Sequence, residues 1–173
     1  MEAPTYTIRK SFLLPLGLVV LLSFILLFSA LFLHLPTAKI IILGLFLLPA
    51  CIIFVESVFR RVSLRNDAIE VNKLLRRKRL SYAELTAIDT IQIRKRAFIS
   101  LSSEDDFLIL SNSYNHFGLL LKQLLEKVPQ NIVSEEIRAL AEAPPQKCSD
   151  VFSAWLAVAV LTLIIYVQLR GLF

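Results

Sequence analysis

Glycine, cysteine and histidine are scarce in this 173-residue chain, at four, two and two residues. Phosphate-cradling loops of the P-loop and Rossmann kinds need several glycines, because backbone must approach phosphate closely. Only Gly118 falls in the polar middle of the chain, so both are excluded. His116 and Cys148 are the sole histidine and cysteine in or near that middle, too few for the usual metal-ligand sets. A Ser-His-acid triad would have to use His116, and no nucleophile motif accompanies it. Glu104-Asp105-Asp106 lacks the spacing of a calcium loop and reads as a solvated turn. Two cysteines, with Cys51 inside an apolar run, make no disulfide framework and do not point to an oxidising compartment. No catalytic residue, metal or cofactor is expected, and the chain does not read as an enzyme.

Charge is scarce too. Charged residues make up 19% of the chain and hydrophobic ones 56%, against about 25% and about 45–50% in an ordinary soluble domain. The apolar residues gather into three runs. No charge occurs between Lys10 and Lys39, and Phe12–Leu33 spans about 33 Å as a helix, enough to cross a bilayer. A secretory signal is the rival reading, but the run is too long and Phe28-Ser29-Ala30 is a poor cleavage site. The second run follows His34-Leu35-Pro36-Thr37, a short link that favours a tight helical hairpin. The third, Val151–Leu169, reaches about 28 Å and carries Trp155 and Tyr166 near its ends, where amphipathic rings suit the headgroups. Glu56 reads as an interfacial residue one turn from Arg60, His34 as a loop residue, and Pro15 and Pro49 as kinks or caps.

Lysine and arginine set the orientation. Arg9 and Lys10 precede the first span and Arg60, Arg61 and Arg65 follow the second, whereas the hairpin link has only Lys39 and the C-terminal tail only Arg170. The positive-inside rule then puts the N-terminus and the middle domain in the cytoplasm and Gly171-Leu172-Phe173 outside.

After Val58 the apolar pattern becomes alternating, which predicts strands at Phe59–Leu64, Ala68–Asn72, Leu80–Tyr82, Ala87–Arg94, Ala97–Leu101 and Phe107–Leu110. Phe117, Leu120, Leu121, Leu124 and Val128 then fall on one face of a helix, with Asn115 as its cap and Pro129 as its stop. A shorter helix begins at Ser134 and ends before Pro144-Pro145. The segments Val62–Val71, Arg79–Ile88 and Phe107–Leu110, followed by that amphipathic helix, resemble the bacterial PH-like (pleckstrin-homology-like) domains of membrane proteins, in which strands are closed by a C-terminal helix. The resemblance covers roughly residues 60–128. Taken with the three spans and their orientation, it implies a bacterial inner-membrane protein of three transmembrane helices plus a small cytoplasmic α+β PH-like domain of antiparallel strands closed by a C-terminal helix. The expected layout is an N-terminal tail and helical hairpin in 1–58 (spans at about 12–33 and 39–58), the PH-like domain in 59–128, a short helix and linker in 129–149, and the last span in 150–173. The phosphoinositide-binding members place their basic cluster between the first two strands. Here it follows the second, so inositol-phosphate specificity does not carry over.

Strands in a meander alternate in direction, so successive turns fall at alternate ends of the sheet. The turns Asn66-Asp67, Ala83-Glu84 and Ser103–Asp106 make one end acidic. Arg76, Arg77, Lys78 and Arg79, with Arg94, Lys95 and Arg96, make the other basic, and this is the end at which the chain leaves the second span. These seven are the expected anionic-lipid-facing residues, each contributing about 1 kcal/mol near an anionic leaflet. No recognition helix or interleaved aromatics accompany them, so nucleic acid is not an expected partner. The leading expectation is a non-catalytic binding or scaffold protein at the cytoplasmic leaflet, with anionic lipid and a membrane-protein partner or self-association. Two others stand beside it: an accessory subunit of a transporter, channel or membrane enzyme, and an immunity-type protein against a membrane-active toxin.

Overall fold

The computed structural model describes residues 4–93, 95–104, 106–145 and 149–170. Arg94, Asp105, Cys148 and Gly171-Leu172-Phe173, all singled out above, lie outside the described residues. In chain order the elements are β1 (Thr5–Thr7), α1 (Lys10–Phe32), α2 (Thr37–Phe59), β2 (Arg61–Leu64), β3 (Ala68–Asn72) and β4 (Arg77–Ser81). A 3-10 turn (Tyr82–Glu84) leads to β5 (Leu85–Ile93), β6 (Arg96–Ser103), β7 (Phe107–Ser111), α3 (Phe117–Lys127), α4 (Glu135–Glu142) and α5 (Ser149–Arg170). The chain divides into two units, residues 10–58 with 149–170 and residues 4–9 with 59–145.

The first unit is helical. Each of α1, α2 and α5 is long and apolar enough to cross a membrane. Within it α1 packs against α5, and Gly17 of α1 lets the Phe54 ring approach to 3.1 Å of where a Cβ would stand. Two hydroxyls in the helices are satisfied locally: Ser29 Oγ donates to the Leu26 carbonyl at 2.9 Å and Thr162 Oγ1 to that of Val158 at 2.8 Å. Local pairing of this kind is what a low-dielectric surrounding requires. Pro15 and Pro49 lie inside α1 and α2 and end neither. The stop comes at His34, whose φ of 49° lets the Leu35 N–H reach the Ala30 carbonyl and the His34 N–H that of Leu31. These two bonds form a Schellman motif with histidine in the seat glycine usually takes.

The second unit holds two antiparallel sheets, β1-β2-β3-β4 and β5-β6-β7. Alternation decides the faces. Tyr6, Val62, Leu64, Ile69, Val71 and Leu80 are buried from the first sheet, and Ile88, Ala97, Ile99, Leu101, Leu108 and Leu110 from the second. A bulge between Leu85 and Ala87 brings Leu85 onto the buried side as well, since it adds one residue to the count. Phe117, Leu120, Leu121 and Leu124 of α3 complete this core, and Ile137, Leu140 and Ala141 of α4 are buried as α4 packs on α3.

Three points differ from the sequence reading. A seventh strand exists. It is β1, from the segment read as an N-terminal tail, and it pairs Thr5 with Ser63, Tyr6 with Val62 and Thr7 with Arg61. Three residues carry too little alternation to be recognised alone, and their partners lie beyond two helices in sequence. The pairing makes α1–α2 the connection of a β-hairpin. Second, the third strand is Arg77–Ser81 and not Leu80–Tyr82. The register Asn72↔Arg77, Val71↔Lys78, Glu70↔Arg79 extends pairing into the basic run, where a glutamate lies opposite an arginine. Third, Asn115 does not cap α3. Its Oδ1 accepts from the His116 N–H at 3.1 Å, and His116 itself, at a φ of 49°, takes the cap position.

Candidate anionic-lipid-facing site

Arg76 ends the turn between β3 and β4, where the Lys73 N–H bonds the Arg76 carbonyl at 2.8 Å. Arg77 opens β4, and its Nε donates to Asn72 Oδ1 at 2.8 Å, which holds the guanidinium in place without neutralising it. Lys95, in the turn between β5 and β6, and Arg96, the first residue of β6, are exposed. Arg94 lies outside the described residues.

Lys78 and Arg79 are elsewhere engaged. Lys78 is ion-paired with Asp106 and sits over the Phe107 ring, 4.8 Å from its centroid. Arg79 pairs with Asp67 and lies 4.0 Å from the buried Glu70, which takes Arg65 at 3.2 Å. A backbone N–H of its own residue and the Arg79 guanidinium hold the Asp67 carboxyl below the usual carboxylate range. The Lys78 ammonium does the same for Asp106, helped by the Phe107 N–H. Lys78 and Arg79 are therefore spent on internal pairs.

The same pairs depart, at these two cations, from the expected division into an acidic and a basic end. Lys78 was assigned to one end and Asp106 to the other, yet they touch. The reason lies in the topology: a single meander alternates its turns, but this chain breaks into two sheets at Tyr82–Glu84, and the alternation does not run across the break.

What the fold does bring together is each remaining basic turn and a point where the chain leaves for a helix of the apolar unit. Thr7, Arg61, Asn72 and Arg77 form one row across the first sheet. The chain passes from Thr7 to α1 at Lys10, and from α2 at Phe59 to Arg61. In the second sheet, the buried Asn112 donates through Nδ2 to the carbonyls of both Lys95 and Pro145, each at 2.9 Å. Pro145 precedes α5 by four residues.

Tyr114 is the residue that sequence reasoning missed. Fully buried, it accepts Arg60 Nε on its hydroxyl at 3.0 Å, with that guanidinium 5.6 Å from the ring centroid. Its carbonyl accepts Arg9 Nε at 3.3 Å, and Ile8 bridges to it across the backbone. The residue before α1 and the residue after α2 thus converge on one residue, Arg9 on its main-chain carbonyl and Arg60 on its side chain. Arg9 and Arg60 were legible only as generic span-flanking charge, because nothing local in sequence couples either to position 114.

Among the described residues, no group of three or more His, Cys, Asp or Glu is placed to hold a metal ion. Tyr82 is buried with its hydroxyl unpartnered, beside a cleft of about 510 Å³ that Asp67, Ser81 and Lys127 help to line. Burial, and then the Asp67 charge, push its hydroxyl up to about 12. A raised folded-state pKa means that stability is fully present below the ordinary tyrosine value of 10.0 and is lost as pH rises towards about 12. Tyr82→Phe is therefore expected to raise neutral-pH stability by about 1 kcal/mol, since it removes a buried hydroxyl that has no partner, and to remove part of the alkaline decline. Thermal unfolding of both chains across that window checks it; parallel pH profiles would contradict the assignment.

Compared with protein-family models, curated proteins and solved structures, the chain matches none.

Proposed function

We propose that the chain is a non-catalytic membrane protein that holds a PH-like sheet-and-helix unit against the anionic cytoplasmic leaflet of a bacterial inner membrane. The observation that carries the reading is the location of the basic turns. Arg76 and Arg77 stand on the sheet edge that shares Thr7 and Arg61 with the chain's passages to α1 and α2, and Lys95 shares Asn112 with the passage to α5. Four strands, then three, closed by a C-terminal helix support the PH-like assignment. The β1–β2 pairing supports the topology, since strands that pair must lie on one side of the bilayer, which requires α1 and α2 both to cross or neither. Arg9, Lys10, Arg60 and Arg61 at those passages favour the cytoplasmic side.

Each cation near an anionic leaflet contributes about 1 kcal/mol, and the field falls off within about 8–10 Å at ordinary salt. Reversing Arg76, Arg77 and Lys95 to Glu in the full chain is expected to abolish docking. Energy transfer from the sheet unit to headgroup-labelled lipid reads this, in nanodiscs containing phosphatidylglycerol. Transfer that persists in the variant, or that ignores salt in the wild type, would refute the proposal.

One observation favours a second reading, a protein partner. The outer face of β5–β7 exposes Ile91, Ile93, Phe107 and Ile109 at 49–60%, an apolar surface that lipid docking through the basic turns does not use. A stoichiometric membrane-protein partner that co-purifies in mild detergent and is lost in Ile91→Asp would support it.

A further inference from the structure

The β3–β4 hairpin turn carries Leu74 and Leu75 at its tip. Leu75 is 95% exposed, and among the described residues no large apolar side chain is more so; Leu74 is 42% exposed. Neither requirement of the fold selects them. They bury nothing in the core, and two-residue hairpin tips favour Asn, Asp and Gly, which leucine replaces at a loss of turn propensity. Asn66-Asp67, in the tight turn that joins β2 to β3, is polar and acidic. Cations flank the leucines on both sides, as Lys73 before and Arg76 and Arg77 after. Neither Lys73 nor Arg76 pairs with a carboxylate among the described residues, and Arg77 is held by an uncharged amide.

Position completes the argument. Asn72 and Arg77, which open and close the turn, lie in the row with Arg61 and Thr7, the strand residues nearest in sequence to α2 and α1. Adjacent strands are about 4.8 Å apart, so the backbone of Arg77 lies within about 10 Å of that of Arg61.

We propose that Leu74–Leu75 inserts into the anionic leaflet, with Lys73, Arg76 and Arg77 at the phosphate level. The inference rests on the leaflet-docking reading and adds to it the element that enters the lipid. Apolar side chains are driven out of water while flanking ammonium and guanidinium groups remain at the headgroups. Anionic lipid is the occupant that satisfies both, because a turn of two leucines between three cations complements hydrocarbon beneath a negatively charged layer.

The test uses the full chain in nanodiscs. Trp155 is the only tryptophan, so Trp155→Phe with Leu75→Trp gives a single reporter at the tip, and Trp155→Phe with Asn66→Trp gives one in the turn at the opposite end of β3. In discs containing phosphatidylglycerol and acyl-brominated lipid, the reporter at 75 is expected to be quenched and blue-shifted, and the one at 66 to emit as in water. Adding Leu74→Ser to the first variant should lose much of the quenching. Proximity of the reporter at 75 to dansyl-headgroup lipid is measured in parallel, at low and high salt. Salt-sensitive proximity without acyl quenching would overturn insertion and leave docking standing. Absence of proximity would overturn both. A blue shift that persists in detergent and ignores bromine would mean that another protein surface covers the tip, and would overturn insertion as well.

Discussion

Tyr114→Ala is expected to cost the sheet unit about 3–5 kcal/mol, the range for removing a fully buried aromatic ring. The ring is fully buried, so little relaxation can refill its space. Its hydroxyl and its face both engage the Arg60 guanidinium, which would be left without either. The bond from Arg9 goes to the main-chain carbonyl, which the substitution keeps. Tyr114→Phe separates the two contributions: it keeps the ring and loses the hydroxyl, at about 1–2 kcal/mol. Amide hydrogen exchange of the full chain in nanodiscs reads both, because protection in β2 and β7 reports the opening free energy of the unit that holds them. An Ala variant that loses less than about 1 kcal/mol of protection would contradict the burial of this ring.

Tyr6→Ala tests the strand that sequence reading passed over, with an expected loss of about 3 kcal/mol. Tyr6 is 7% exposed and donates its hydroxyl to Gln123 Oε1 of α3 at 2.6 Å, so it fastens the first sheet to the closing helix. Burial raises its pKa, as expected of a phenol withdrawn from water. Tyr6→Phe should cost about 1 kcal/mol, the share of the hydrogen bond. Removing residues 1–7 is expected to do more, since β2 then becomes a bare sheet edge able to template pairing with another chain. Self-association of the truncated chain in size-exclusion chromatography, with lost exchange protection across β2 and β3, is the expected result. A truncated chain that stays monodisperse and fully protected would show that β1 contributes nothing to the sheet.

The candidate site was half legible. A run of four basic residues is visible in any reading of the chain, but whether each faces water depends on register. Arg76 and Arg77 remain exposed, while Lys78 and Arg79, the next two along, are drawn into pairs with Asp106, Asp67 and Glu70. A strand alternates its faces at every residue, so an error of a few residues in its start reassigns which cations are available. Leu74 and Leu75 were lost for a related reason. In a chain so rich in apolar residues two more leucines carry no signal until their neighbours are seen to leave them exposed.

Composition and periodicity by themselves determined the helices long and apolar enough for three spans, the antiparallel strands between the second and third, and the amphipathic helix that closes them. Each of these is a local property, carried by apolar run length or by a period of 2 or 3.6 within one short window. Only the tertiary structure decided that Thr5–Thr7 joins the first sheet, that the strands divide into four and three, and that Tyr114 gathers Arg9 and Arg60. The first and last of these are pairings between residues 54–105 positions apart. Contact at such separations is settled by packing and hydrogen-bond satisfaction over the whole fold, which no local pattern encodes.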